Sequence, residues 1–218
     1  MSCPHCQGLE SLFNQRQARN DLKAYRKRGP SKATGILLVA LRAAGIEGAT
    51  LLDIGGGVGV IQLDLMHAGV ARAVDVDAST AYLAAAREEA ERAGFGSQVT
   101  YLHGDFVELA PTIDMADIVT LDRVVCCYPD MPALVGLSAA RARRLYGVIY
   151  PRDAWWTRWG AAAVNLAMRV RRVPYRFYVH APSAVGAQAQ SAGLEPHFRR
   201  VLGVWQVEVF RRMQAAPA

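Results

Sequence analysis

Cysteines, long apolar runs and targeting signals are all scarce in this sequence. Four of the 218 residues are cysteines, two near the amino end and two adjacent in mid-chain, which is not the disulfide framework of a small secreted protein. The apolar stretches 33–46 and 161–168 are interrupted by Arg42 and Asn165, whereas a membrane-spanning helix needs about 18–20 apolar residues in succession. The first residues also lack the basic and then apolar regions of a secretion signal. We therefore expect a cytoplasmic protein with reduced thiols and no transmembrane segment.

Acidic side chains are nearly missing from one part of the chain. The formal net charge is +6 at pH 7, and Asp153 is the only acidic residue within residues 141–176, the arginine segment. Its basic residues are Arg141, Arg143, Arg144, Arg152, Arg158, Arg169, Arg171, Arg172 and Arg176. Such a segment can meet phosphates, an anionic membrane surface or an acidic substrate, or it can be a solvated face that keeps the protein soluble.

Strand and helix patterns alternate along most of the chain, whose length and 52% hydrophobic content suit one compact domain. The predicted strands are residues 50–54, 71–76, 99–102, 117–121 and 145–150, and the predicted helices are 10–28, 31–46, 60–68, 79–93, 131–144, 155–172 and 182–192. Residues 197–204 and 206–212 predict a final hairpin around Gly203. Strands separated by helices of this length predict right-handed crossovers and a parallel sheet covered on both faces. We therefore predict an α/β fold with a doubly wound, mostly parallel seven-stranded sheet and an antiparallel C-terminal strand.

The most informative segment is the glycine-rich turn after the first strand, residues 53–59 with the sequence Asp-Ile-Gly-Gly-Gly-Val-Gly. Glycine is needed where a Cβ would strike a ligand or where the turn requires positive φ. A phosphate-binding P-loop would continue with Lys and then Ser or Thr, which residues 60–62 do not supply. A dinucleotide-binding G-x-G-x-x-G motif would place its third glycine at Val60 or Gln62, so that interpretation fails as well.

This turn resembles the first motif of the class I methyltransferases that use S-adenosylmethionine (SAM), an acidic residue followed by G-x-G-x-G. Asp53, Gly55, Gly57 and Gly59 match that motif position by position. The resemblance implies a Rossmann-like sheet and SAM as the cofactor, bound at the carboxyl ends of the strands.

Later acidic residues match the same family in register. Asp77, followed by Ala78, ends the second strand where the family places an acid that bonds both ribose hydroxyls; Asp75 is the rival for this role. Asp105 and Phe106 resemble the motif in which an acid accepts from the adenine amino group while an apolar neighbour packs on the ring. Residues 117–122 resemble the fourth-strand motif, so Asp122 is expected beside the methionine moiety of SAM.

Candidates for contact with the methyl acceptor follow the fourth strand. Asp122, Cys127 and Tyr128 are the candidate catalytic residues, because a carboxylate, thiol or phenol can polarise a nucleophile. Cys126 is expected to line the acceptor pocket, although both cysteines can equally be small packing residues. His180 is a further candidate for the acceptor cleft.

A tryptophan-rich helix is predicted within an inserted lid at about residues 152–176. Trp155, Trp156 and Trp159 would suit a flat or aromatic acceptor, and the apolar side chains of this helix share one face at roughly 100° per residue. Three alternatives stay open: the face lines the acceptor pocket, it packs onto the core, or it lies on a membrane surface.

The amino-terminal segment, residues 1–30, is expected to be a helical lid over the methyltransferase domain of residues 31–218. Residues 25–30 could close over SAM. Cys3, His5 and Cys6 have the spacing of half a zinc site, which Cys126 and Cys127 would have to complete. A thiol role near the substrate and a flexible tail are the alternatives, and we predict no bound metal.

These patterns predict a methyltransferase that acts on an O, N or S atom of a small molecule. The carboxyl-terminal layout resembles magnesium-protoporphyrin methyltransferases, which makes a porphyrin-like acceptor one possibility. Residues 121–124 lack the Asn/Asp-Pro-Pro-aromatic motif of enzymes that methylate amino groups of nucleic-acid bases, so nucleic acid is not the expected partner. The alternatives are an RNA- or protein-directed methyltransferase that uses the arginine segment, and a non-catalytic regulator that binds SAM or its product.

Overall fold

The computed structural model describes Glu10 and residues 12–213. The helices are α1 (Gln15–Arg28), α2 (Lys32–Ala43), α3 (Val60–His67), α4 (Thr80–Arg92), α5 (Phe106–Leu109), α6 (Met131–Arg141), α7 (Trp155–Val170) and α8 (Pro182–Ser191). The strands are β1 (Thr50–Ile54), β2 (Arg72–Asp77), β3 (Val99–His103), β4 (Ala116–Asp122), β5 (Ala142–Pro151), β6 (Leu194–Leu202) and β7 (Trp205–Arg212).

The strands form one seven-stranded sheet in the order β3-β2-β1-β4-β5-β7-β6. The first five strands are parallel, and β7 pairs antiparallel with both β5 and β6. The order reverses between β1 and β4, and in open α/β sheets ligands bind outside the carboxyl ends of the strands at such a reversal. The predicted fold class is confirmed.

The central strands of the sheet are buried on both faces, as the apolar strands predict. One core joins the sheet to α6 and α8 through side chains such as Leu134 and Val185. The other joins it to α2 and α3 through side chains such as Leu37 and Leu63. The two layers of helices hold the carboxyl ends of β1, β2 and β4 in fixed relative positions.

Two helices that flank the candidate site begin at serine caps. Ser31 Oγ accepts from the backbone N–H of Thr34 at 3.2 Å, and Ser79 Oγ accepts from that of Tyr82 at 3.2 Å. A side-chain oxygen at this position pairs an N–H that the helix itself leaves free. Both serines therefore act as N-caps.

The structure corrects several boundaries. The predicted helix over residues 10–28 is interrupted at Phe13 and Asn14, so that α1 begins at Gln15, and the predicted helix over residues 31–46 ends at Ala43. Residues 142–144 belong to β5 and not to the preceding helix, because Ala142 pairs with Ala116 of β4 and is fully buried. Alanine and arginine favour a helix locally, but strand pairing overrides that preference. The last hairpin begins at Leu194 and not at residue 197, with a register shift near Pro196, which an edge strand tolerates.

Candidate active site

A cavity of about 800 Å³ lies at the carboxyl ends of β1, β2 and β4. Its walls are the α1–α2 segment, the glycine turn, the ends of β2 and β3, and residues that follow β4. Of the predicted site residues, the ones that line it are Asp53, Gly55, Gly57, Asp77, Ala78, Asp105, Phe106, Asp122, Cys127 and Tyr128. Residues far apart in the sequence therefore meet around one space.

The glycine turn has a backbone that side chains would disrupt. Gly55, Gly57 and Gly59 have φ values of 65°, 60° and 82°, in the left-handed region that favours glycine. A Cβ on Gly55 would also lie 2.5 Å from Cγ2 of Val124, whereas a Cβ on Gly57 would meet nothing closer than 3.6 Å. Gly59 does not line the cavity; it is the residue from which α3 starts. The turn thus brings bare backbone to the cavity wall.

Asp77 holds this turn and faces the cavity at the same time. Its carboxylate accepts from the backbone N–H of Gly57 at 3.2 Å and from that of Ser79 at 2.8 Å. Burial raises the pKa of Asp77 to about 6, although these hydrogen bonds work in the opposite direction. Asp77 is therefore mostly ionised at neutral pH and can accept further hydrogen bonds from a ligand.

Two more carboxyl groups lie beneath the turn. Asp53 accepts from Thr120 Oγ1 at 2.7 Å, and Asp75 accepts from Gln62 Nε2 at 2.8 Å. Among the described residues, Oδ2 of Asp53 and Oδ1 of Asp75 have no hydrogen-bond partner. Burial raises the pKa of Asp53 to about 7 and that of Asp75 well above its usual range, and their mutual repulsion adds to the rise at Asp75. Asp75 does not line the cavity, which favours Asp77 for ligand contact.

The Asp105–Phe106 pair forms another wall. Asp105 caps α5 by accepting from the N–H of Val107 at 2.9 Å, and both of its oxygens lie within 3.0 Å of the Tyr128 hydroxyl. Phe106 is buried and presents an apolar surface to the cavity. The Asp105–Tyr128 contact joins two predicted site residues that the sequence does not connect.

Asp122, at the end of β4, is held from two sides. Thr34 Oγ1 of α2 donates to Asp122 Oδ2 at 2.6 Å, and Arg123 Nε donates to Oδ1 at 2.8 Å. Arg123 has a φ of 63°, and its N–H donates to the carbonyl of Ile149 at 2.9 Å. No sequence pattern indicates Thr34, which also lines the cavity.

The two adjacent cysteines have different surroundings. Cys126 is buried and does not line the cavity, whereas Cys127 does. Their sulfur atoms lie 3.7 Å apart, and Cys127 Sγ lies 3.1 Å from the hydroxyl of Tyr175. The contact between the thiols lowers the pKa of Cys127 and raises that of Cys126. Cys127 is thus the thiol available for chemistry at this wall.

The remaining acceptor candidates do not line the cavity. The Trp155 and Trp159 rings are exposed, and Arg152 lies 5.8 Å from the centre of the Trp156 ring. His180 stacks on Tyr178 at 5.8 Å, and burial lowers its pKa. None of these side chains is among the residues that line the cavity.

The described part of the amino-terminal segment covers one side of the cavity. Tyr25, Arg28, Gly29 and Pro30 line it, in the range that the sequence suggests for closure over the cofactor. Arg26 instead pairs with Glu88 and Glu89 of α4 at 3.0 and 2.6 Å. These ion pairs fasten the end of α1 to the sheet-packed α4.

Two predictions concern features that the structure describes in part or not at all. The possible zinc ligands Cys3, His5 and Cys6 lie outside the described residues. Among residues 10 and 12–213, no group of three or more metal-ligating side chains could hold a metal ion. Within the same residues, no helix combines the length and apolar character needed to cross a bilayer.

Comparison with known proteins identifies the family. Residues 52–146, which run from within β1 into β5, match the family model of the methyltransferase domain. These residues are thus recognised as a class I SAM-dependent methyltransferase domain. The match confirms the family inferred from the glycine turn, whose members use SAM as methyl donor.

The methyltransferase domain has relatives with different acceptors in their names. It is 28% identical over 127 residues to the ribosomal protein L11 methyltransferase of Edwardsiella ictaluri (strain 93-146), a match that spans 55% of this chain and 43% of that protein. It is 37% identical over 115 residues to the release factor glutamine methyltransferase of Moorella thermoacetica, spanning 50% and 38%. The chain spans less than half the length of these curated relatives.

Solved structures share the fold at low identity. The magnesium protoporphyrin IX methyltransferase of Synechocystis PCC 6803 with bound SAH aligns with a TM-score of 0.66, 18% identity and coverage of 83% of this chain and 82% of that chain. An O-methyltransferase family protein of Burkholderia thailandensis aligns with a TM-score of 0.71, 17% identity and coverage of 95% and 63%. The methyltransferase fold therefore extends through most of the chain.

The cavity of the methyltransferase domain has features that fit SAM. Its turn offers bare backbone at Gly55 and Gly57, which both line the cavity. A carboxylate that can accept from a sugar diol stands at Asp77, next to an apolar wall that includes Phe106. These groups together suit a nucleoside with an uncharged, flat base.

Proposed function

We propose that this protein transfers the methyl group of SAM to an O, N or S atom of a small-molecule acceptor. The observation that carries the proposal is one continuous cavity that runs from the glycine turn to Cys127 and Tyr128. Its volume of about 800 Å³ lies in the range of about 300–1,000 Å³ that is usual for small-ligand sites. The α1–α2 segment covers this cavity, which favours an acceptor small enough to enter it.

The cofactor would be held by the residues that the family motifs predict. Asp77 would accept hydrogen bonds from both ribose hydroxyls, because a carboxylate can accept two at once. Asp105 and Phe106 would contact the adenine, and the backbone of residues 55–57 would approach the sugar and the amino-acid chain. Asp122, fixed by Thr34 and Arg123, would lie next to the methionine moiety. When bound, SAM supplies a methyl group already activated by the sulfonium.

The protein's contribution to catalysis would be mainly to position the acceptor. Holding two reactants at about 3–3.5 Å in line removes much of the entropic barrier. Tyr128, oriented by Asp105, and Cys127, whose pKa is lowered, are the side chains that would orient or deprotonate an acidic acceptor. An amine with a free lone pair would need only the positioning.

A protein-directed methyltransferase is the second candidate. It is favoured by the two relatives named for a ribosomal protein and a release factor. The exposed arginines of the arginine segment give it a surface outside the cavity. A non-catalytic regulator that binds SAM is the third, since cofactor binding alone does not imply turnover.

The first experiment measures the affinity for SAM by calorimetry in the native protein, Asp77→Ala and Gly57→Val. We expect both variants to lose binding and to keep the circular dichroism of the native fold. Unchanged affinity in both would refute the assignment of the cofactor site.

The second experiment follows the release of S-adenosylhomocysteine (SAH), the product that SAM leaves after methyl transfer, with phenols, thiols, amines, ribosomal protein and RNA as candidate acceptors. Turnover with small molecules supports the proposal, and turnover only with the macromolecules supports the second candidate. No SAH release with any acceptor, despite tight SAM binding, would favour the regulator.

A further inference from the structure

The exposed side of α7 carries a continuous apolar stripe. The exposed fractions of Trp155, Trp159, Leu166 and Val170 are 75%, 72%, 64% and 75%. At about 100° per residue, these four side chains fall within roughly 60° of one another around the helix axis. They therefore form one strip along the helix and are not scattered single contacts.

The opposite side of α7 fixes the helix to the protein. Its buried residues are Thr157 and Ala161, small side chains that let the helix lie close to the surface beneath it. Asn165 donates to the carbonyl of Phe177 at 2.9 Å and accepts from its N–H at 2.7 Å. These two hydrogen bonds hold α7 against the segment that follows it. That segment is in turn fixed near the cysteines, because the N–H of Tyr178 donates to the carbonyl of Cys126 at 2.8 Å. The apolar stripe thus points outward because the inner face is already occupied.

Positive charge flanks the stripe. Asp153, the only acidic residue of the arginine segment, forms an ion pair with Arg158, whose Nε lies 2.6 Å from Asp153 Oδ1. Arg169, Arg171 and Arg172 are exposed at the carboxyl end of the helix. These three arginines form no ion pair with the described residues. An apolar strip with tryptophans beside such arginines matches the interface of a bilayer that contains anionic lipids.

We propose that α7 docks this protein onto an anionic phospholipid surface. The helix lies in the plane of the headgroups, with Trp155, Trp159, Leu166 and Val170 in the acyl boundary and the arginines at the phosphates. Its 16 residues extend about 24 Å, short of the roughly 30 Å of a bilayer's hydrocarbon core, so the helix rests on the membrane and does not span it. RNA would use the arginines but would leave Leu166 and Val170 without a role, which favours the lipid surface.

The test measures binding of the full chain, without SAM, to large unilamellar vesicles by co-sedimentation and tryptophan emission. Vesicles of phosphatidylcholine alone are compared with vesicles that contain phosphatidylglycerol. We expect binding and a blue shift only with the anionic lipid, and weaker binding as salt rises. Because SAM is absent, the outcome does not depend on the proposed methyl transfer.

Variants on the exposed side test each part of the surface. Trp155→Ser with Trp159→Ser should weaken binding about 100-fold, near tenfold per ring. Arg169→Gln with Arg171→Gln should weaken it about 25-fold, near fivefold per charge. Val39→Ser is the matched control, since Val39 is an apolar residue with 66% exposure on α2, and it should leave binding unchanged.

Several results would overturn the proposal. They are no binding to anionic vesicles at any lipid concentration, equal binding by the tryptophan pair and the native protein, or an equal loss in Val39→Ser. Sedimentation velocity that shows a dimer abolished by the tryptophan substitutions would assign the stripe to a second copy. Tight, tryptophan-dependent RNA binding in place of vesicle binding would assign it to nucleic acid.

Discussion

Alanine at position 55 tests how the glycine turn is built, because it adds one methyl group at a place where two separate penalties can be told apart. The first penalty is conformational: Gly55 has a φ of 65°, and a left-handed conformation costs an alanine about 1–2 kcal/mol. The second is steric: the new Cβ would lie 2.5 Å from Cγ2 of Val124, whose branched side chain rotates with difficulty. Overlap of this kind costs about 1–3 kcal/mol. We expect Gly55→Ala to lower the free energy of unfolding by about 2–5 kcal/mol in total.

Gly57→Ala is the matched control for this substitution. Its φ of 60° is nearly the same, but a Cβ there would come no closer than 3.6 Å to any neighbour. It should therefore cost only the conformational part, about 1–2 kcal/mol. The comparison isolates the steric part at Gly55.

A double-mutant cycle with Val124→Ala measures the steric part directly. Removing Cγ2 of Val124 should make Gly55→Ala cheaper by about 1–3 kcal/mol than in the native background. Urea unfolding followed by circular dichroism gives the four free energies. If Gly55→Ala costs the same in both backgrounds, or no more than Gly57→Ala, the close approach of residues 55 and 124 is not what requires glycine.

Three further predictions follow from the carboxyl and thiol groups. Binding of SAM needs the ionised form of Asp77, whose pKa is about 6, so the SAM affinity measured by calorimetry should fall about tenfold between pH 7 and pH 5. The variant Asp77→Asn should bind SAM weakly and with an affinity that does not change with pH. The same change of affinity with pH in this variant would contradict the reasoning. The pKa of Asp53 is raised to about 7 in the folded state, so its contribution to stability is fully present below pH 4 and is lost as pH rises through 7; the decline measured by urea unfolding should be shallower in Asp53→Asn, and an unchanged decline would show that Asp53 is not its source. Iodoacetamide at neutral pH should alkylate Cys127 in the native protein while the buried Cys126 stays unmodified; peptide mass spectrometry that finds the reverse order would refute the assigned environments.

Local patterns predicted the fold well because most of its determinants are local. The alternation of apolar strands with amphipathic helices gives the parallel sheet, and the hairpin around Gly203 gives its antiparallel end. Residues 142–144 were predicted wrongly, since a short Ala-Arg sequence has helical preference and only its partner strand decides otherwise. The intrinsic preference of a residue for helix or strand does not show whether a distant strand will pair with it.

The residues of the candidate site also divide into those that the sequence predicts and those that only the structure reveals. The glycine turn and Asp77 could be found because they directly follow strands, and the carboxyl ends of parallel strands share one edge of the sheet. The contacts of Asp105 with Tyr128, and of Thr34 with Asp122, join residues 23 and 88 positions apart. Such pairs depend on how the layers pack, so a single sequence does not reveal them.

The sequence also did not predict which side of α7 packs against the protein. Helical periodicity identifies an apolar side, and in most surface helices that side packs inward. Here the inner contacts are made by Thr157 and Ala161, and the large side chains remain exposed. Periodicity shows that two faces differ, but the surface on which the helix rests decides which of them is buried.

The edge strand β6 has a consequence for the behaviour of the protein in concentrated solution. An edge strand exposes unpaired backbone groups that can recruit a strand from another molecule. On β6 the exposed side chains include Glu195, Arg199 and Arg200, and Pro196 has no N–H to offer. Two molecules that paired along this edge would have to bury these charged side chains beside a backbone with a missing donor. The sheet therefore stops growing at seven strands, and the chain is protected there against edge-to-edge aggregation.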